Sequence, residues 1–253
     1  MGINSWNNNT VGIIPARYTS TRLPGKPLLD IAGKSMIQRV CEQVSLSELN
    51  HLIVATDDAR IFEHVKALGY EAIMTNEHHP SGTDRIAEVA QKYSNQDIII
   101  NIQGDEPFIQ PEAINELLGL LKRDDVGIGT LAHAFTAEAD VMNPNQVKLT
   151  MDQNGKCLYF SRSPIPYCRN RTMQEAILDK VFLKHIGMYG FKNHVLREIA
   201  ALPLGNLELI ESLEQLRWLE AGYSIHAAQT HFTSFGIDSM EDLELARKMI
   251  KLE

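Results

Sequence analysis

Residues 11–28 read VGIIPARYTSTRLPGKPL, and this stretch decides the fold because it joins a buried strand to a cationic loop. The apolar run at residues 11–15 is typical of a strand buried in a parallel sheet. The loop after it carries three cations, Arg17, Arg22 and Lys26, and ends in Gly-Lys-Pro, which is not the Walker A pattern. Backbone N–H groups together with Arg and Lys side chains suit a polyphosphate, so the loop is predicted to bind phosphates. A solvated basic loop is the alternative.

Downstream of this loop, short apolar runs alternate with segments of helical spacing. The predicted strands are residues 51–55, 71–74 and 97–102, and the predicted helices are residues 35–44, 59–68, 82–92 and 111–121. This alternation predicts βαβ units, and therefore an α/β fold with a mostly parallel central sheet and flanking helices, Rossmann-like in character. In such sheets ligands bind beyond the carboxyl ends of the strands. The loops after Ile14 and Ile102 both begin at such ends.

The second half of the chain is less regular. Its predicted elements are a hairpin of residues 147–150 and 156–160, a strand at 185–191, and helices at 210–221 and 240–252, the last opened by a Ser239–Asp242 capping box. We predict a single α/β domain over residues 11–253 with a projecting β-hairpin lobe at about 145–200, interpreted as a dimerisation arm. The polar residues 1–10 are predicted to be a disordered tail.

Composition limits the classes of function. The 253 residues are 44% hydrophobic with a formal net charge of −8, and the cations are scattered. This argues against binding to nucleic acid or an anionic membrane, which requires a clustered basic face. No apolar segment is long enough to insert into a membrane. Three cysteines without paired spacing suggest neither disulfides nor a zinc site, and we predict a cytoplasmic protein.

A carboxylate follows the most apolar strand, in the run NIQGDEP at residues 101–107. Asp105 stands beside Gly104, which lets a ligand approach, and is predicted to bind Mg²⁺; Glu106 is the less favoured neighbour. The alternative is a turn aspartate that caps the backbone. Asp238 precedes the last helix, and on local grounds it is a helix-entry carboxylate. It becomes a metal ligand only if the fold brings it to Asp105.

Candidate groups for a polar organic substrate lie in the second half. Arg162 follows an apolar strand and offers a planar fork suited to a carboxylate. His185 and Tyr189 are in phase on one predicted strand, so both could reach a hydroxylated ligand. The alternatives are a surface salt bridge for the arginine and core packing for the tyrosine. The segment ESLEQLRW at residues 211–218 is an amphipathic helix whose charges could be solvated.

Taken together, the motifs resemble the 3-deoxy-manno-octulosonate cytidylyltransferase (CMP-Kdo synthetase) family, from about Val11 to the C-terminus. The resemblance rests on several long motifs in the right order: IPARYTSTRLPGKPL, SGTDR at 81–85, NIQGDEPFI, YFSRSPIP, HIGMYGF and ESLEQLRW. Ser239-Met240 departs from the Thr-Pro usual in the family. The resemblance implies a nucleotide-diphospho-sugar transferase fold, a homodimer, CTP, Kdo and Mg²⁺. The implied product is CMP-Kdo for lipopolysaccharide assembly.

The resemblance also implies roles for individual residues. The implied catalytic residues are Lys26, Arg17 and Asp105, and the implied metal ligands are Asp105 and Asp238. The implied CTP-binding residues are Pro15, Ala16, Arg17, Arg22, Lys26, Ser81, Gly82, Thr83, Arg85 and Gln103. The implied sugar-binding residues are Gln103, Arg162, His185, Tyr189, Glu214 and Gln215.

Other functions were weighed against this one. A CMP-sialate synthetase usually has a Gly-Ser-Lys pattern where this chain has YTSTRLPGKP, and close analogues of Kdo could share its pocket. A silent nucleotide-binding regulator would be expected to lack the metal carboxylate or the loop lysine, and both are present. A purely structural dimerisation module leaves the clustered cations unexplained.

Overall fold

The structure, a computed structural model, describes residues 9–19, 23–95, 97–233 and 235–250. The strands are β1 (Thr10–Ala16), β2 (Asp30–Ile31), β3 (Lys34–Ser35), β4 (His51–Thr56), β5 (Glu71–Met74), β6 (Ile98–Asn101), β7 (Ile128–Ala134), β8 (Lys148–Met151), β9 (Cys157–Ser161), β10 (Leu183–Lys192) and β11 (Ile225–Gln229). The helices are α1 (Met36–Val44), α2 (Ala59–Ala67), α3 (Gly82–Ala90), α4 (Pro111–Leu121), α5 (Glu138–Met142), α6 (Met173–Leu178), α7 (Asn193–Ala200), α8 (Asn206–Glu211), α9 (Gln215–Glu220) and α10 (Met240–Ile250). Most of the predicted tail and all of Arg22 lie outside the described residues.

The chain divides into two compact units. The first comprises Met1–Asn115, Lys192–Arg197 and Ser234–Glu253, and the second comprises Glu116–Phe191 and Glu198–Thr233. The first unit is therefore assembled from three separate stretches of sequence. The prediction of one domain with a lobe at about 145–200 stays a prediction.

The first unit is organised around four parallel strands in the order β6-β1-β4-β5. Val11 on β1 pairs with His51 on one side and with Ile99 on the other. Because β1 is covered on both edges, Val11, Ile13 and Ile14 are fully buried, as the apolar run in the sequence predicts, whereas Pro15 near the end of the strand is half-buried. Helix α3 packs on β1, and α2 packs on β4 and β5.

A smaller apolar cluster in this unit connects distant parts of the chain. It comprises Leu23, Ile31, Met36, Ile237, Leu243 and Ala246, all nearly or fully buried. Helix α10 therefore packs on residues that follow the first loop. The Ser239–Asp242 capping box predicted at its start is present, with the Ser239 N–H donating to Asp242 Oδ2 at 2.8 Å and the Asp242 N–H donating to Ser239 Oγ at 3.2 Å.

The second unit combines one parallel pair with antiparallel strands. β11 runs parallel to β7, β10 runs antiparallel to β7, and the β8–β9 hairpin joins through β8 to β10. The pairing of β10 with β7 shifts register between Ile186 and Tyr189. Strands β7 and β11 were missed from the sequence. The hairpin around Asn154-Gly155 matches the prediction within one residue at each end.

The predicted helix at residues 210–221 is wrong. The segment forms two short helices, α8 and α9, because Ser212 adopts the left-handed conformation with φ 51° and ψ 50°. A continuous helix cannot pass through that conformation. The wider prediction, an α/β fold with mostly parallel strands and flanking helices, is confirmed. Among the described helices, none is both long and apolar enough to cross a membrane.

Close packing around β1 makes Gly12 a test of this fold. A Cβ atom on Gly12 would lie 2.7 Å from Leu49 Cδ1 and 2.9 Å from Ile102 Cδ1. We expect Gly12→Ala to lower the free energy of unfolding by about 1–3 kcal/mol, because the side chains around it must shift. Urea denaturation followed by circular dichroism would measure the change.

Gly119 provides the matched control. It lies exposed in α4, and a Cβ atom there would meet nothing within 4 Å. We expect Gly119→Ala to raise the free energy of unfolding by about 1 kcal/mol through helix propensity alone. A Gly12→Ala protein as stable as the original would contradict the packing described here.

Candidate active site

The loop after β1 folds back on itself and delivers Lys26 to the carboxyl end of the sheet. The Gly25 N–H donates to Tyr18 O at 2.9 Å, and the Lys26 N–H donates to Leu23 O at 3.1 Å. A single 3₁₀ turn at Lys26–Leu28 then begins, with Pro27 near its start. These backbone contacts place the lysine beside the end of the neighbouring strand, β6.

Lys26 lies between two carboxylates. Its Nζ is 2.6 Å from Asp105 Oδ2 and 3.1 Å from Asp238 Oδ1. The segments of the two aspartates are joined directly, because the Ile237 N–H donates to Asp105 O at 2.9 Å. The fold thus brings Asp238 to Asp105, which the sequence spacing could not establish.

The charges of Lys26, Asp105 and Asp238 offset one another in a cluster that is partly exposed to water. Two carboxylates that share one site repel each other, and the ammonium between them offsets this repulsion. The lysine side chain is 13% exposed, whereas those of Asp105 and Asp238 are 33% and 53% exposed. Because water screens pairs this open, each contributes at most about 1 kcal/mol to stability.

The same carboxylates suit a magnesium ion. Mg²⁺ prefers hard oxygen ligands and is commonly held by one or two carboxylates together with substrate phosphates. Asp105 and Asp238 provide two such groups at the mouth of a cleft. The described residues hold no group of three or more Asp, Glu, His or Cys side chains placed to bind a metal by themselves. The donor set therefore fits Mg²⁺ that is shared with a phosphorylated substrate.

A cleft of about 340 Å³ opens at this end of the first unit. Seven of the residues predicted to bind CTP line it: Pro15, Ala16, Arg17, Lys26, Ser81, Gly82 and Gln103. Asp105 lines it too, together with four residues that were not predicted: Thr19, Pro27, Pro80 and Gly104. Pro27, Pro80 and Gly104 adjoin predicted residues in sequence and Thr19 lies two residues from Arg17, so their positions in the same loops were the available signal.

Close backbone approach shapes the floor of the cleft. A Cβ atom on Gly104 would lie 3.1 Å from Pro15 O and 3.2 Å from Ile14 Cγ2. The two strand-end loops can approach this closely because residue 104 has no side chain. Gly104 therefore permits the short distance between the loop after β1 and the loop after β6, which carries Asp105.

Helix α3 points its N-terminus into the cleft. Ser81 caps the helix with a complete capping box, in which its Oγ accepts from the Asp84 N–H at 3.2 Å. The first turn of a helix carries a partial positive charge that attracts anions. The Arg17 guanidinium donates to His79 O and, at 3.3 Å, to Ser81 O. One cation thus connects the loop after β1 to the start of α3.

Arg85 and Thr83, both predicted to bind CTP, do not line the cleft. The Arg85 side chain is completely buried, donates to Asp57 Oδ2 at 2.5 Å and contacts Thr75 Oγ1. Its two partners, Asp57 and Thr75, come directly after β4 and β5, so the buried ion pair anchors α3 to the ends of these strands. The predicted contacts of Arg85 and Thr83 with CTP stay predictions. The predicted contact by Arg22 lies outside the described residues.

In the second unit, His185 and Tyr189 lie side by side on β10, as their phase predicts. Their ring centroids are 5.2 Å apart, Phe160 packs edge-on against His185, and Trp218 packs edge-on against Tyr189 at 5.0 Å. The His185 Nε2 is 3.1 Å from Thr130 Oγ1. Trp218 lies on α9 three residues after Gln215, at the end of the motif ESLEQLRW, and no role was predicted for it.

Three buried polar atoms here have no hydrogen-bond partner among the described residues: Tyr189 Oη, Gln215 Nε2 and Trp218 Nε1. An unsatisfied buried polar group costs about 1–3 kcal/mol, and native proteins retain few of them. The predicted binding of a sugar by Tyr189 and Gln215 stays a prediction.

Burial keeps the two ring residues neutral. It lowers the pKa of His185 to about 3, and it raises the pKa of Tyr189 well above its ordinary value. Both side chains can therefore exchange hydrogen bonds with a ligand but carry no charge near neutral pH. Burial likewise raises the pKa values of Cys41 and Cys157 to about 12, so neither thiol is an activated nucleophile.

Arg162 is engaged with the backbone. Its Nε donates to Glu211 O at 2.6 Å, and its terminal nitrogens donate to Pro144 O at 3.0 Å and Ser212 O at 3.2 Å. Three of its five N–H groups are thus directed at carbonyls. Its predicted binding of a sugar acid stays a prediction.

The low pKa of His185 predicts an acid-dependent loss of stability. Between pH 6.5 and pH 3 the unfolded chain protonates this histidine and the folded protein does not, so the free energy of unfolding falls as the pH falls. We expect His185→Gln to reduce the fall between pH 6.5 and pH 5 by about 1–2 kcal/mol. Urea titrations at several pH values would measure it, and parallel curves for both proteins would contradict a buried neutral imidazole.

Comparison with known proteins agrees with this geometry. Residues 11–225 match the family model described as cytidylyltransferase. The 3-deoxy-manno-octulosonate cytidylyltransferase of Thermodesulfovibrio yellowstonii is 48% identical over 95% of this chain and 98% of its own length. The enzymes of the same name from Cytophaga hutchinsonii and Parabacteroides distasonis are 50% and 49% identical, over 94% and 93% of this chain and 96% of each relative.

Solved structures support the same assignment. A structure of CMP:2-keto-3-deoxy-manno-octonic acid synthetase complexed with CTP matches with a TM-score of 0.89 and 42% identity, over 97% of this chain and 99% of that chain. A cytidylyltransferase from Leptospira borgpetersenii, at 16% identity, matches with a TM-score of 0.63 over 97% of this chain and 88% of its own, which shows the fold alone. The chain therefore belongs to the 3-deoxy-manno-octulosonate cytidylyltransferase family.

Proposed function

We propose that this protein transfers CMP from CTP to 3-deoxy-D-manno-octulosonate (Kdo), releasing pyrophosphate and forming CMP-Kdo for lipopolysaccharide biosynthesis. The observation that carries the proposal is the position of Lys26 between Asp105 and Asp238 at a cleft that Arg17 and the N-terminus of α3 also line. Cations, a helix N-terminus and two carboxylates together fit a nucleoside triphosphate with its divalent ion. The family relationship supplies the sugar acid.

The reaction is an in-line displacement at phosphorus. The anomeric hydroxyl of Kdo attacks the α-phosphorus of CTP, its oxygen forms the new P–O bond, and pyrophosphate leaves with the electrons of the bond that breaks. Arg17 and Lys26 neutralise the negative charge that moves onto the leaving group. Catalysis of this kind depends on positioning and charge, and no covalent enzyme intermediate is required.

Asp105 and Asp238 are the residues that would hold Mg²⁺. When bound, the ion would neutralise phosphate charge and make the attacking hydroxyl more acidic. Because Lys26 already contacts both carboxylates, its ammonium is within reach of phosphates bound at the same place. Gln103 lines the cleft beside Asp105 and is proposed to contact both substrates.

The second unit is proposed to bind the sugar acid. The unpartnered Tyr189, Gln215 and Trp218 groups would bond to its hydroxyls, with Glu214 and the neutral His185 beside them. Uncharged rings with polar edges suit a polyhydroxylated ligand, because they provide both apolar contact and hydrogen bonds. Arg162 keeps two N–H groups that could reach its carboxylate.

The lobe at about 145–200 is proposed to form a homodimer. It exposes large apolar side chains, with Tyr167 at 89%, Leu178 at 81% and Leu158 at 60% exposure. Exposed apolar groups of this size are typical of interaction surfaces. A cytoplasmic location is proposed as well, since three free cysteines fit a reducing compartment.

Pyrophosphate release tests the activity. We expect release to require CTP, Kdo and Mg²⁺ together, and to stop when EDTA removes the metal. Parallel reactions with sialic acid and without sugar test the choice of acceptor. Turnover with another acid but not with Kdo would correct the substrate, and no release with any acid despite CTP binding would favour a silent nucleotide-binding regulator.

Removing one carboxylate charge tests the metal site. We expect Asp105→Asn to lower kcat/KM by about 10²-fold or more, because a metal ligand supplies several kcal/mol in the transition state. The free energy of unfolding should change by no more than about 1 kcal/mol, since the ion pair with Lys26 is partly exposed. Pyrophosphate release and urea denaturation would measure the two effects.

Glu106→Gln is the matched control. It removes the same charge from the adjacent residue, which does not line the cleft. We expect near-normal turnover from this variant. A near-normal rate of Asp105→Asn in Mg²⁺ would refute the assignment. So would a Glu106→Gln variant whose kcat/KM falls by about 10²-fold, the loss expected of Asp105→Asn.

A further inference from the structure

A network of partly buried polar contacts surrounds the break between α8 and α9. The Glu211 carboxylate accepts from Ser161 Oγ at 2.6 Å and from the Arg162 N–H at 2.9 Å. In return, the Arg162 side chain donates to the carbonyls of Glu211 and Ser212. The two residues therefore bind each other through backbone and side chain at once.

Lys148 connects this network to the segment that precedes β8. Its side chain is completely buried, and its Nζ donates to Arg162 O at 2.6 Å, Gln146 O at 2.8 Å and Asn143 O at 2.9 Å. Burial lowers the pKa of this lysine, the nearby Glu211 carboxylate offsets this in part, and the Arg162 cation lowers the pKa further. Such an arrangement fixes the backbone on both sides of Arg162.

The network acts on a strained turn. Ser212 holds the left-handed conformation, which a residue with a Cβ atom adopts only where its surroundings impose it. Arg162 donates to the carbonyl oxygens of Glu211 and Ser212, which lie on either side of the Ser212 Cα atom. After one intervening residue, Leu213, come Glu214, the N-cap of α9, and Gln215, its first residue, so the direction of the turn determines where their side chains lie.

We propose that Glu211 is a positioning residue for the sugar-acid site, acting through Arg162. The clamp formed by Glu211, Arg162 and Lys148 holds Ser212 in its left-handed conformation and thereby places Glu214 and Gln215 for the sugar acid. This inference rests on the proposed function for its substrate. It assigns to Arg162 a structural task that does not exclude a contact with ligand.

The first test separates the two substrates. Glu211→Gln keeps the shape of the side chain but turns an amide group toward donors that need an acceptor. We expect the KM for Kdo to rise by about tenfold or more, with the KM for CTP changed by less than about twofold. Equal changes in both KM values would indicate general damage and overturn the proposal, as would no change in either.

Rescue provides the sharper test. Glycine adopts the left-handed conformation without steric cost, whereas alanine does not. We expect Glu211→Gln with Ser212→Gly to recover most of the lost affinity for Kdo, and Glu211→Gln with Ser212→Ala to recover none. Rescue by both second substitutions, or by neither, would show that the conformation of residue 212 is not what Glu211 controls.

A readout independent of activity separates this inference from the proposed function. Trp6 and Trp218 are the two tryptophans of the chain, so in a Trp6→Phe background the fluorescence reports the buried Trp218 on α9. We expect Glu211→Gln to shift its emission and the added Ser212→Gly to restore it. If the original protein never turns over Kdo, the proposed function fails; an unshifted emission would overturn the clamp itself.

Discussion

The ammonium of Lys26 holds together three parts of the chain that are far apart in sequence. It contacts Asp105, 79 residues away, and Asp238, 212 residues away. Without a cation between them the two carboxylates would repel each other, and the loop after β6 would be pushed away from the segment before α10. Three features bring these groups together: the adjacent parallel strands β1 and β6, the packing of α10, and the close backbone approach at Gly104. Its chemistry therefore depends on long-range folding more than on any local motif.

The two units differ in the means by which they can recognise a ligand. The first concentrates fixed charge and a helix N-terminus around its cleft, which suits a highly charged phosphate chain. The second presents neutral rings and unpartnered polar atoms, with a histidine whose pKa burial lowers to about 3. This division matches the two substrates proposed for the enzyme.

The sequence predicted those elements that are determined by neighbouring residues. The apolar run at 11–15, the Asn154-Gly155 hairpin and the Ser239–Asp242 capping box are of this kind. The helix predicted at 210–221 failed because its hydrophobic period continues through Ser212, while the conformation there is imposed by Arg162 from another segment. Strands β7 and β11 were missed for lack of a clear pattern. The buried ion pair of Arg85 with Asp57 was missed because it joins segments 28 residues apart, which no local pattern relates.

The three-part composition of the first unit has a consequence for synthesis of the chain. Strand β1 and Lys26 leave the ribosome early, whereas Asp238 follows Lys26 by 212 residues, and helix α10, which packs near Leu23 and Met36, comes after it. A nascent chain can form the parallel strands while the cluster around Lys26 still lacks one carboxylate and part of its apolar cover. Termination between residues 105 and 238 therefore yields a protein that contains Lys26 and Asp105 without the second carboxylate beside them.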